Sequence, residues 1–484
     1  MKNRSERGDR LRLAALLAVL MLALASVAAG CGGDDDEAAP ETTAPAATGG
    51  EETTEDGGEG SGEAIKLAIL SDCEGAFGAF YEADLGGAQA AFAKYAGGEP
   101  SGEMPSDGMT GIVAGGRPVE IVGYGCADDT ADKAIEETRR LVEQLGAEVM
   151  IGPLSGDEGI AVANYAKEHP ELTVLNGTSG AQDTTLKVQA PNFFRFNSDG
   201  AQWSAGLGDY AYNTLGWRTA AVIGDDYSFP YTSLAGFIAE FCALGGDVTT
   251  RIWPPLGETD YSSYVTQIPD DVDGVMVGIG GSGLIAFINQ YQQLKGQIEG
   301  DRFMGNVFWP DPLVLEEVGA LLEGGVAAGP TAGDSTDPKA VEYSQAIDET
   351  YPNAEGVTGT AASVFTYNYY NAAWALVQGL EASGGEVGEP LQEALRNVTV
   401  DGAYGEVTLD EYQNGVTDNY IQQIVAADDG HTVRTILRVP AVEQTFGGVF
   451  TPDTPSPDRE NPPCEPLDQP PAWVGNAEEV SFGE

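Results

Sequence analysis

The sequence predicts an α/β protein of two lobes, in which parallel sheets are covered by helices. From Ile65 onward, short apolar runs of strand type alternate with segments whose apolar residues recur at helical spacing. The same alternation restarts after "FFRFNSD", residues 193–199. The two runs together exceed what one hydrophobic core comfortably fills, and repeated strand–helix–strand order is typical of parallel sheets with helices on both faces.

The first run contains four predicted strands and two predicted helices. The strands are "IKLAIL" (65–70), "PVEIVGY" (118–124), "EVMIG" (148–152) and "LTVLN" (172–176). The helices are indicated by two apolar stripes, one of Leu85, Ala88, Phe92 and Tyr95, the other of Ile135, Thr138, Leu141, Val142 and Leu145. Gly146 ends the second helix.

The second run repeats this order. Helices are predicted near Gln202–Leu215, Tyr231–Leu244 and Leu284–Leu294. The predicted strands are "TAAVIG" (219–224), "DVTTRIW" (247–253), "DGVMVGIG" (273–280) and "RFMGNV" (302–307).

Both ends of the chain are predicted to lie outside the lobes. Residues 1–30 have a cationic start, an apolar run and small residues before Cys31, which indicates a secretory signal peptide. The cysteine at this point resembles that of a bacterial lipoprotein signal and would carry the lipid; a plain signal peptide is the alternative. Residues 31–63 hold eleven acids and no base and are predicted to be a disordered acidic linker. Residues 451–484 are predicted to form a proline-rich C-terminal tail.

The net charge of −53 argues against two classes of partner. Removing residues 1–30, which contain five bases and two acids, leaves −56. Nucleic acid and anionic membrane surfaces repel such a chain, so neither is expected as a direct partner.

The cysteines predict two disulfides. With Cys31 assigned to lipid, four remain, an even number in a chain exported to an oxidising compartment. Cys73 and Cys126 each follow a predicted strand, and neighbouring parallel strands end side by side, so we pair them. Cys242 with Cys464 then follows by elimination.

Metal, cofactor and catalytic motifs are missing or incomplete. No two cysteines have the C-x₂₋₄-C spacing of a metal site, and the two histidines lie far from any other catalytic signal. No G-x-x-x-x-G-K-[ST] string is present. Gly278, Gly280 and Gly283 spell G-x-G-x-x-G, but the next strand ends in Asn306 and Val307 instead of the acid that a dinucleotide needs. We therefore expect neither an enzyme nor a bound cofactor or metal.

Small and polar residues follow the predicted strands, where open parallel sheets bind their ligands. These segments are Ser71–Gly75, Pro153–Ser155, Asn176–Gly180, Asp225–Tyr227, Gly280–Ser282 and Asn306. In "NGTSG", residues 176–180, backbone N–H groups and hydroxyls come together, which favours a cup for a small anion or zwitterion. Helix capping is the alternative role of Ser155 and Thr178.

Three segments resemble one family. "IGPLSGDEGIAVANYAKEHPELTVLNGTSG", "GDDYSFPYTSLAGF" and "VMVGIGGSG…INQ" are similar, in this order, to the branched-chain amino acid binding proteins. These are type I periplasmic binding proteins that feed ABC importers, and the likeness covers nearly all of residues 65–440.

The resemblance implies two Rossmann-like lobes that close on a ligand. Three crossovers would join them near Phe196, Gly329 and Val416. The lobe boundaries that we assign are residues 64–196 plus 330–416 for lobe 1, and residues 197–329 plus 417–450 for lobe 2.

The resemblance also implies the ligand-binding residues. Ser155 and the loop of Thr178, Ser179 and Gly180 would hold the ligand's carboxylate from lobe 1, and Tyr227 would reach it from lobe 2. Two aromatic positions of the family match Phe80 and Phe365, for which core packing is the alternative, as it is for Tyr227.

Two positions depart from the family. Where relatives carry an acid for an α-ammonium, this chain has Asn306 or Val307, and where some carry an aromatic residue it has Ser282. We expect Asn306 and Ser282 to face the ligand, and Asp226 to pair with an ammonium group.

These observations together predict an extracytoplasmic solute-binding lipoprotein of an ABC importer. It would be a monomer, anchored to the cell membrane by its lipid, with a small-molecule ligand and the permease subunits as partners. The predicted ligand is an amino acid or a related small carboxylate. The alternatives are a ligand-sensing receptor module of the same fold and a binder of another solute, such as an amide.

Overall fold

A computed structural model describes residues 62–428, 430–467 and 469–482. The predicted signal peptide, the predicted lipid attachment site Cys31 and nearly all of the acidic linker lie outside these residues.

The first sheet has six strands in the spatial order β4-β5-β1-β6-β7-β8. The strands from the start of the described chain are β1 Ile65–Asp72, β2 Glu99–Pro100, β3 Met109–Thr110, β4 Val113–Ala114, β5 Arg117–Ala127, β6 Val149–Ile151, β7 Thr173–Leu175 and β8 Phe193–Phe194. All pairs in this sheet are parallel except β4 with β5, and β2 with β3 form a separate small pair. The apolar run of β1 is buried because helices cover both faces of the sheet.

The second sheet has ten strands and is mixed. Its members are β9 Thr219–Gly224, β10 Asp247–Ile252, β11 Gly274–Gly278, β12 Phe303–Gly305, β13 Val326–Gly329, β14 Val400–Gly402, β15 Gly405–Leu409, β16 Gly415–Ala427, β17 Gly430–Val442 and β18 Glu478–Glu479. The order β10-β9-β11-β12-β13 is parallel, and the remaining pairs, from β13 with β16 onward, are antiparallel. The long hairpin of β16 and β17 was not part of the sequence prediction.

Helices cover both sheets. In chain order they are α1 Tyr81–Ala96, α2 Ala131–Arg139, α3 Gly156–Glu168, α4 Asp183–Leu186, α5 Gly200–Trp203, α6 Leu207–Asp209, α7 Ser228–Ala243, α8 Ser262–Val265, α9 Gly281–Lys295, α10 Pro312–Leu322, α11 Pro338–Thr350, α12 Val364–Ser383 and α13 Glu389–Leu395. A β-carbon at Gly87 of α1 would lie 2.2 Å from the carbonyl oxygen of Thr366 in α12, so glycine permits this close packing. The contact brings the starts of these two helices together.

One predicted helix is interrupted. The apolar stripe indicated a single helix over Gln202–Leu215, whereas the structure has α5, α6 and a π-helical turn at Tyr210–Thr214. Gly206 separates α5 from α6 with a φ of 90°, a conformation that glycine adopts at little cost. Its N–H donates to the buried Glu240 carboxylate at 2.8 Å, which fixes the break.

The chain passes between the two lobes three times: after β8, after β13, from where α11, α12, β14 and β15 pack with the core of the first lobe, and at the start of β16. The buried Arg195 joins two of these passages, because its guanidinium donates to the side-chain oxygen of Asn414 at 2.8 Å. Its backbone N–H donates to the Gln413 carbonyl at 2.9 Å. The architecture is the two-lobed α/β fold that the sequence predicts.

Both predicted disulfides are formed in the structure. Cys73 bonds Cys126 where β1 and β5 end side by side, and Cys242 of α7 bonds Cys464 of the C-terminal tail. The tail is also held by Trp473, whose indole N–H donates to the Glu240 carboxylate at 2.6 Å. The tail therefore packs on the second lobe.

Candidate functional site

A small pocket lies where the loops at the carboxyl ends of both sheets meet. Its walls lie close together, and the free volume between them is only about 10 Å³, about that of one water molecule. The first sheet and its helices supply Phe77, Leu154, Ser155, Gly156, Thr178, Gly180, Val364 and Phe365, and the second lobe supplies Trp203, Tyr227, Phe229, Val307 and Phe308. Nine of these residues are apolar or aromatic, so the few polar groups decide what charge the pocket accepts.

Two residues that line the pocket from the first lobe have hydroxyl groups with no hydrogen-bond partner in the described part of the chain. They are Ser155, which precedes α3, and Thr178, which follows β7; both side chains are buried. The backbone N–H of Ser155 donates to Glu158 at 3.2 Å, and that of Thr178 donates to the Pro153 carbonyl at 3.1 Å. The backbone is thus fixed, while the hydroxyls are free to donate to a ligand.

The next two residues of this loop have different roles. The Ser179 side chain packs on α3, because a β-carbon at Gly159 would lie 1.9 Å from its Oγ, and Ser179 does not line the pocket. Gly180 does line it. A β-carbon at Gly180 would lie 2.6 Å from the Phe229 ring and 2.8 Å from the Trp203 ring, so only glycine leaves room for these rings.

Aromatic rings form most of the pocket wall. Phe80 and Phe365 stack with ring centroids 3.9 Å apart, and Phe77 stacks on Phe308 at 5.4 Å. Phe80 lies behind the lining residues, while Phe365 is one of them. Tyr227 lines the pocket from the second lobe, with its ring centroid 6.4 Å from that of Phe77.

Comparison with protein-family models identifies this architecture. Residues 64–430 match the model described as "Periplasmic binding protein". The chain belongs to the periplasmic binding protein family. Members of this family bind solutes and are not enzymes. Among curated proteins, no sequence matches this chain.

Solved structures include several similar periplasmic binding proteins. An ABC transporter substrate-binding protein from Sphaerobacter thermophilus is 25% identical, with a TM-score of 0.68 over 79% of this chain and 99% of its own. A solute binding protein from R. palustris in complex with benzoate is 21% identical, with a TM-score of 0.66 over 77% of this chain and 95% of its own. A leucine binding protein from Thermotoga maritima is 20% identical, with a TM-score of 0.63 over 76% of this chain and 98% of its own.

Within the described residues of this periplasmic binding protein, no helix is both long enough and apolar enough to cross a bilayer.

Asp226 is not placed as the sequence analysis expected. Its carboxylate accepts hydrogen bonds from Arg459 of the tail, with Nε at 2.7 Å, and from the Tyr231 hydroxyl. Partial burial opposes ionisation, but these bonds outweigh it and lower the pKa of Asp226. The Asp226 carboxylate is already neutralised by the guanidinium of Arg459, so it attracts a ligand's ammonium only weakly. Asp226 also does not line the pocket.

Neither Ser282 nor Asn306 is among the residues that line the pocket. Ser282 is exposed, and its backbone N–H donates to the Ala76 carbonyl at 3.1 Å, a contact between the two lobes. Asn306 is buried next to the lining residues Val307 and Phe308; its side-chain oxygen accepts from the Phe308 N–H at 3.2 Å. Its Nδ2 has no partner among the described residues and remains available as a donor.

The glycine-rich turn before α9 is filled by protein atoms. The Gly280 N–H donates to the Asp225 carboxylate at 2.9 Å, and a β-carbon at Gly280 would lie 2.5 Å from the Phe308 ring. A β-carbon at Gly281 would lie 2.3 Å from the Ala76 carbonyl. Gly280 therefore serves close packing within the second lobe, and Gly281 serves close packing between the two lobes.

In the described part of the chain, one group of three potential metal ligands lies close together. It consists of Cys73, Glu74 and Cys126. Because the two cysteines form a disulfide, this group offers no thiolate to a metal.

Four buried carboxylates lie beside the pocket, and we call them the acidic cluster: Asp72, Asp129, Glu158 and Asp225. Their exposed fractions are 0%, 8%, 0% and 0%. Burial is the largest cause of the raised pKa of each, to about 7 for Glu158 and about 8 for Asp225. The sequence analysis did not single out this cluster, because its members come from four separate segments.

Proposed function

We propose that this periplasmic binding protein is the extracytoplasmic solute-binding lipoprotein of an ABC importer. Its ligand would be an amino acid or a related small carboxylate with an apolar body. One observation supports this most strongly: Ser155 and Thr178 have buried hydroxyls with no partner among the described residues, and both line a pocket whose other walls are apolar.

A carboxylate is the group that these hydroxyls suit best. Hydroxyl and backbone N–H donors offset the desolvation of a buried anion through charge-assisted hydrogen bonds. None of the residues that line the pocket is a lysine or arginine, so the donors would have to provide this stabilisation without a full positive charge. Tyr227, on the facing lobe, and the free Nδ2 of Asn306 are further donors that we assign to the ligand.

The aromatic walls suit a ligand with an apolar body. The rings of Phe77, Phe229 and Phe308 line the pocket and offer faces on which such a body can pack. Among similar proteins, one was solved with benzoate and another is a leucine binding protein. Both ligands combine a carboxylate with an apolar body, in agreement with the proposed class.

The membrane attachment and the transporter partners belong to the same proposal. Lipid on Cys31 and the acidic linker would tether the binding lobes to the membrane surface, near the permease subunits. Intact mass of the mature protein tests the anchor. Cleavage before Cys31 with an added diacylglyceryl mass is expected, and an unmodified Cys31 would contradict it.

A thermal-shift screen tests the ligand class. The purified protein is screened against the common amino acids, benzoate and its hydroxylated forms, short aliphatic acids, the matching amides, and sugars. We expect stabilisation only by carboxylates with an apolar body, with about 2.7 kcal/mol gained at 100 times Kd. A sugar or an amide that stabilises the protein more than every carboxylate would contradict the proposal.

A further inference from the structure

The acidic cluster is built around the cleft at which the ligand would bind. Asp72 ends β1, and Asp129 and Glu158 also belong to the first lobe, while Asp225 follows β9 in the second. Glu158 accepts from the backbone N–H of the pocket residue Ser155 at 3.2 Å. Tyr227, another pocket residue, lies close enough for the charges of Asp225, Asp129 and Asp72 to raise its pKa further, after burial.

The carboxylates of this cluster lack the partners that buried charges need. Both oxygens of Asp72 have no hydrogen-bond partner among the described residues, and the same holds for one oxygen each of Asp129, Glu158 and Asp225. None of the ion pairs formed within the described chain includes a member of the cluster. A buried and unpaired carboxylate is strongly destabilising.

The polar groups nearest to Asp72 are themselves acids. Glu158 and Asp129 lie within hydrogen-bond reach of it, and two carboxyl groups can bond each other only when one holds a proton. Burial first, and these neighbours second, raise the pKa of Asp72. The other charged groups close to the cluster, Asp84 near Glu158 and Asp128 near Asp129 and Glu158, are also acids. The empty cluster therefore retains protons that a bound cation would displace.

We propose that the acidic cluster binds the protonated amine of the ligand, beside the hydroxyls that bind its carboxylate. This inference rests on the proposed function and makes the ligand class narrower, because benzoate-like acids without an amine would leave Asp72 and Glu158 unpaired. Ser155 donates its N–H to Glu158, and Tyr227 follows Asp225 by two residues, so two acids of the cluster lie next to residues that line the pocket.

The shape of the cluster favours an amine over a metal ion. Calcium requires several oxygen ligands that converge at about 2.3–2.6 Å from one point. Within the described residues, the oxygens of Asp72, Asp129 and Glu158 do not all lie within 4.8 Å of one another. An ammonium group has three diverging N–H donors and can serve oxygens that are further apart.

The inferred subsite differs from the one that the resemblance implies. In the family that the sequence resembles, the acid for an α-ammonium stands at the end of the segment "RFMGNV" in the second lobe, where this chain has Asn306 or Val307. Here three of the four acids belong to the first lobe, so one lobe would hold both charged ends of the ligand.

Isothermal titration with matched probes tests the inference. The first series is L-phenylalanine, 3-phenylpropanoate and 2-phenylethylamine, and the second is L-leucine, 4-methylpentanoate and 3-methylbutylamine. In the series that fits, we expect the amino acid to bind at least about tenfold more tightly than the acid without an amine. Titration at pH 7 in two buffers of different ionisation enthalpy should show release of about one proton on binding of the amino acid.

Variants separate this inference from the proposed function. Asp72→Asn and Glu158→Gln should weaken amino-acid binding by about ten- to a hundredfold and leave the acid without an amine unaffected or tighter. Asp72→Asn replaces an acid that must stay protonated in the empty cluster by a neutral amide of the same shape, so the empty variant should melt at or above the wild-type temperature. Glu240→Gln, at an equally buried acid held by N–H donors away from the pocket, is the matched control and should not change affinity.

Three results would overturn the inference. If the acid without an amine binds as tightly as the amino acid, the proposed function stands and the cation subsite is wrong. If no probe of either series binds, the inference is wrong, and the proposed function is decided separately by the thermal-shift screen. If calcium or magnesium chloride stabilises wild type but not Asp72→Asn, the cluster is a metal site.

Discussion

The two faces of the cleft differ in chemistry. On the first lobe, the lining residues Ser155 and Thr178 have hydroxyls without a partner among the described residues, and the carboxylate of Asp72 is buried behind them. The second lobe presents mainly rings, among them Phe229 and Phe308. A face with unsatisfied polar atoms is suited to recognising charge, and a face of rings is suited to excluding water from it. From this difference we expect the first lobe to contribute most of the charge selection, with Tyr227 and the Asn306 amide assisting from the second lobe.

The largest expected effect comes from filling the space where the two faces meet. In Gly180→Val, the new side chain would push the Phe229 and Trp203 rings into the pocket, since a β-carbon alone would already lie 2.6 Å and 2.8 Å from them. We expect ligand affinity to fall by more than about a hundredfold, measured by titration calorimetry. Cooperative thermal unfolding is the control for folding. A folded variant with wild-type affinity would show that the rings do not bound the site.

A change on the second face should weaken all ligands alike. Phe229→Leu keeps the wall apolar but reduces the contact area, so we expect affinities to fall by about tenfold. Charged and uncharged forms of a probe should be affected to the same extent, measured with L-phenylalanine and 3-phenylpropanoate. A loss confined to one of the two probes would mean that the second lobe also selects charge.

The acids of the cleft predict a pH dependence for the empty protein. Burial raises the pKa of Glu158 to about 7, above the value of about 4.3 in an unfolded chain. The protonated form is thus favoured by folding, so this stabilisation is complete below about pH 4 and is lost as the pH rises through about 7. We expect the melting temperature to fall between pH 5 and pH 8, and to fall less in Glu158→Gln. Equal slopes in the two proteins would contradict this.

The smallest effect is expected at the rim of the second face. The side chain of Arg459 is 63% exposed and that of its partner Asp226 is 17% exposed, and exposed ion pairs contribute little to stability. Arg459→Gln should change ligand affinity by less than about threefold, measured by the same titration. A larger loss would show that the tail positions Tyr227, which follows Asp226 directly.

Most of the fold could be predicted because buried parallel strands form apolar runs that are visible in any window. β1, β9 and β11 are such runs. β16 and β17 were missed because each has thirteen residues with many polar side chains and lies in the antiparallel part of the sheet. The interruption at Gly206 depends on its bond to Glu240, which follows thirty-four residues later.

The site was predictable where it depends on strand ends and not where it depends on distant contacts. Ser155 and Thr178 follow β6 and β7, so their position was visible in the sequence. Trp203 and Phe229 lie in short or buried helices, where an aromatic residue usually means core packing. Asp226 was misjudged because its partner, Arg459, lies 233 residues further along the chain.

Titration of the first-lobe hydroxyl variants tests the central claim most directly. Ser155→Ala and Thr178→Val are compared with Ser179→Ala, a neighbouring buried hydroxyl that does not line the pocket. With the tightest carboxylate from the screen, each of the first two should weaken binding by about ten- to a hundredfold, since a hydrogen bond to a charged group contributes about 1.5–3 kcal/mol. Ser179→Ala should bind as wild type. If all three variants bind as tightly as wild type, the first lobe does not hold the carboxylate and the account is wrong.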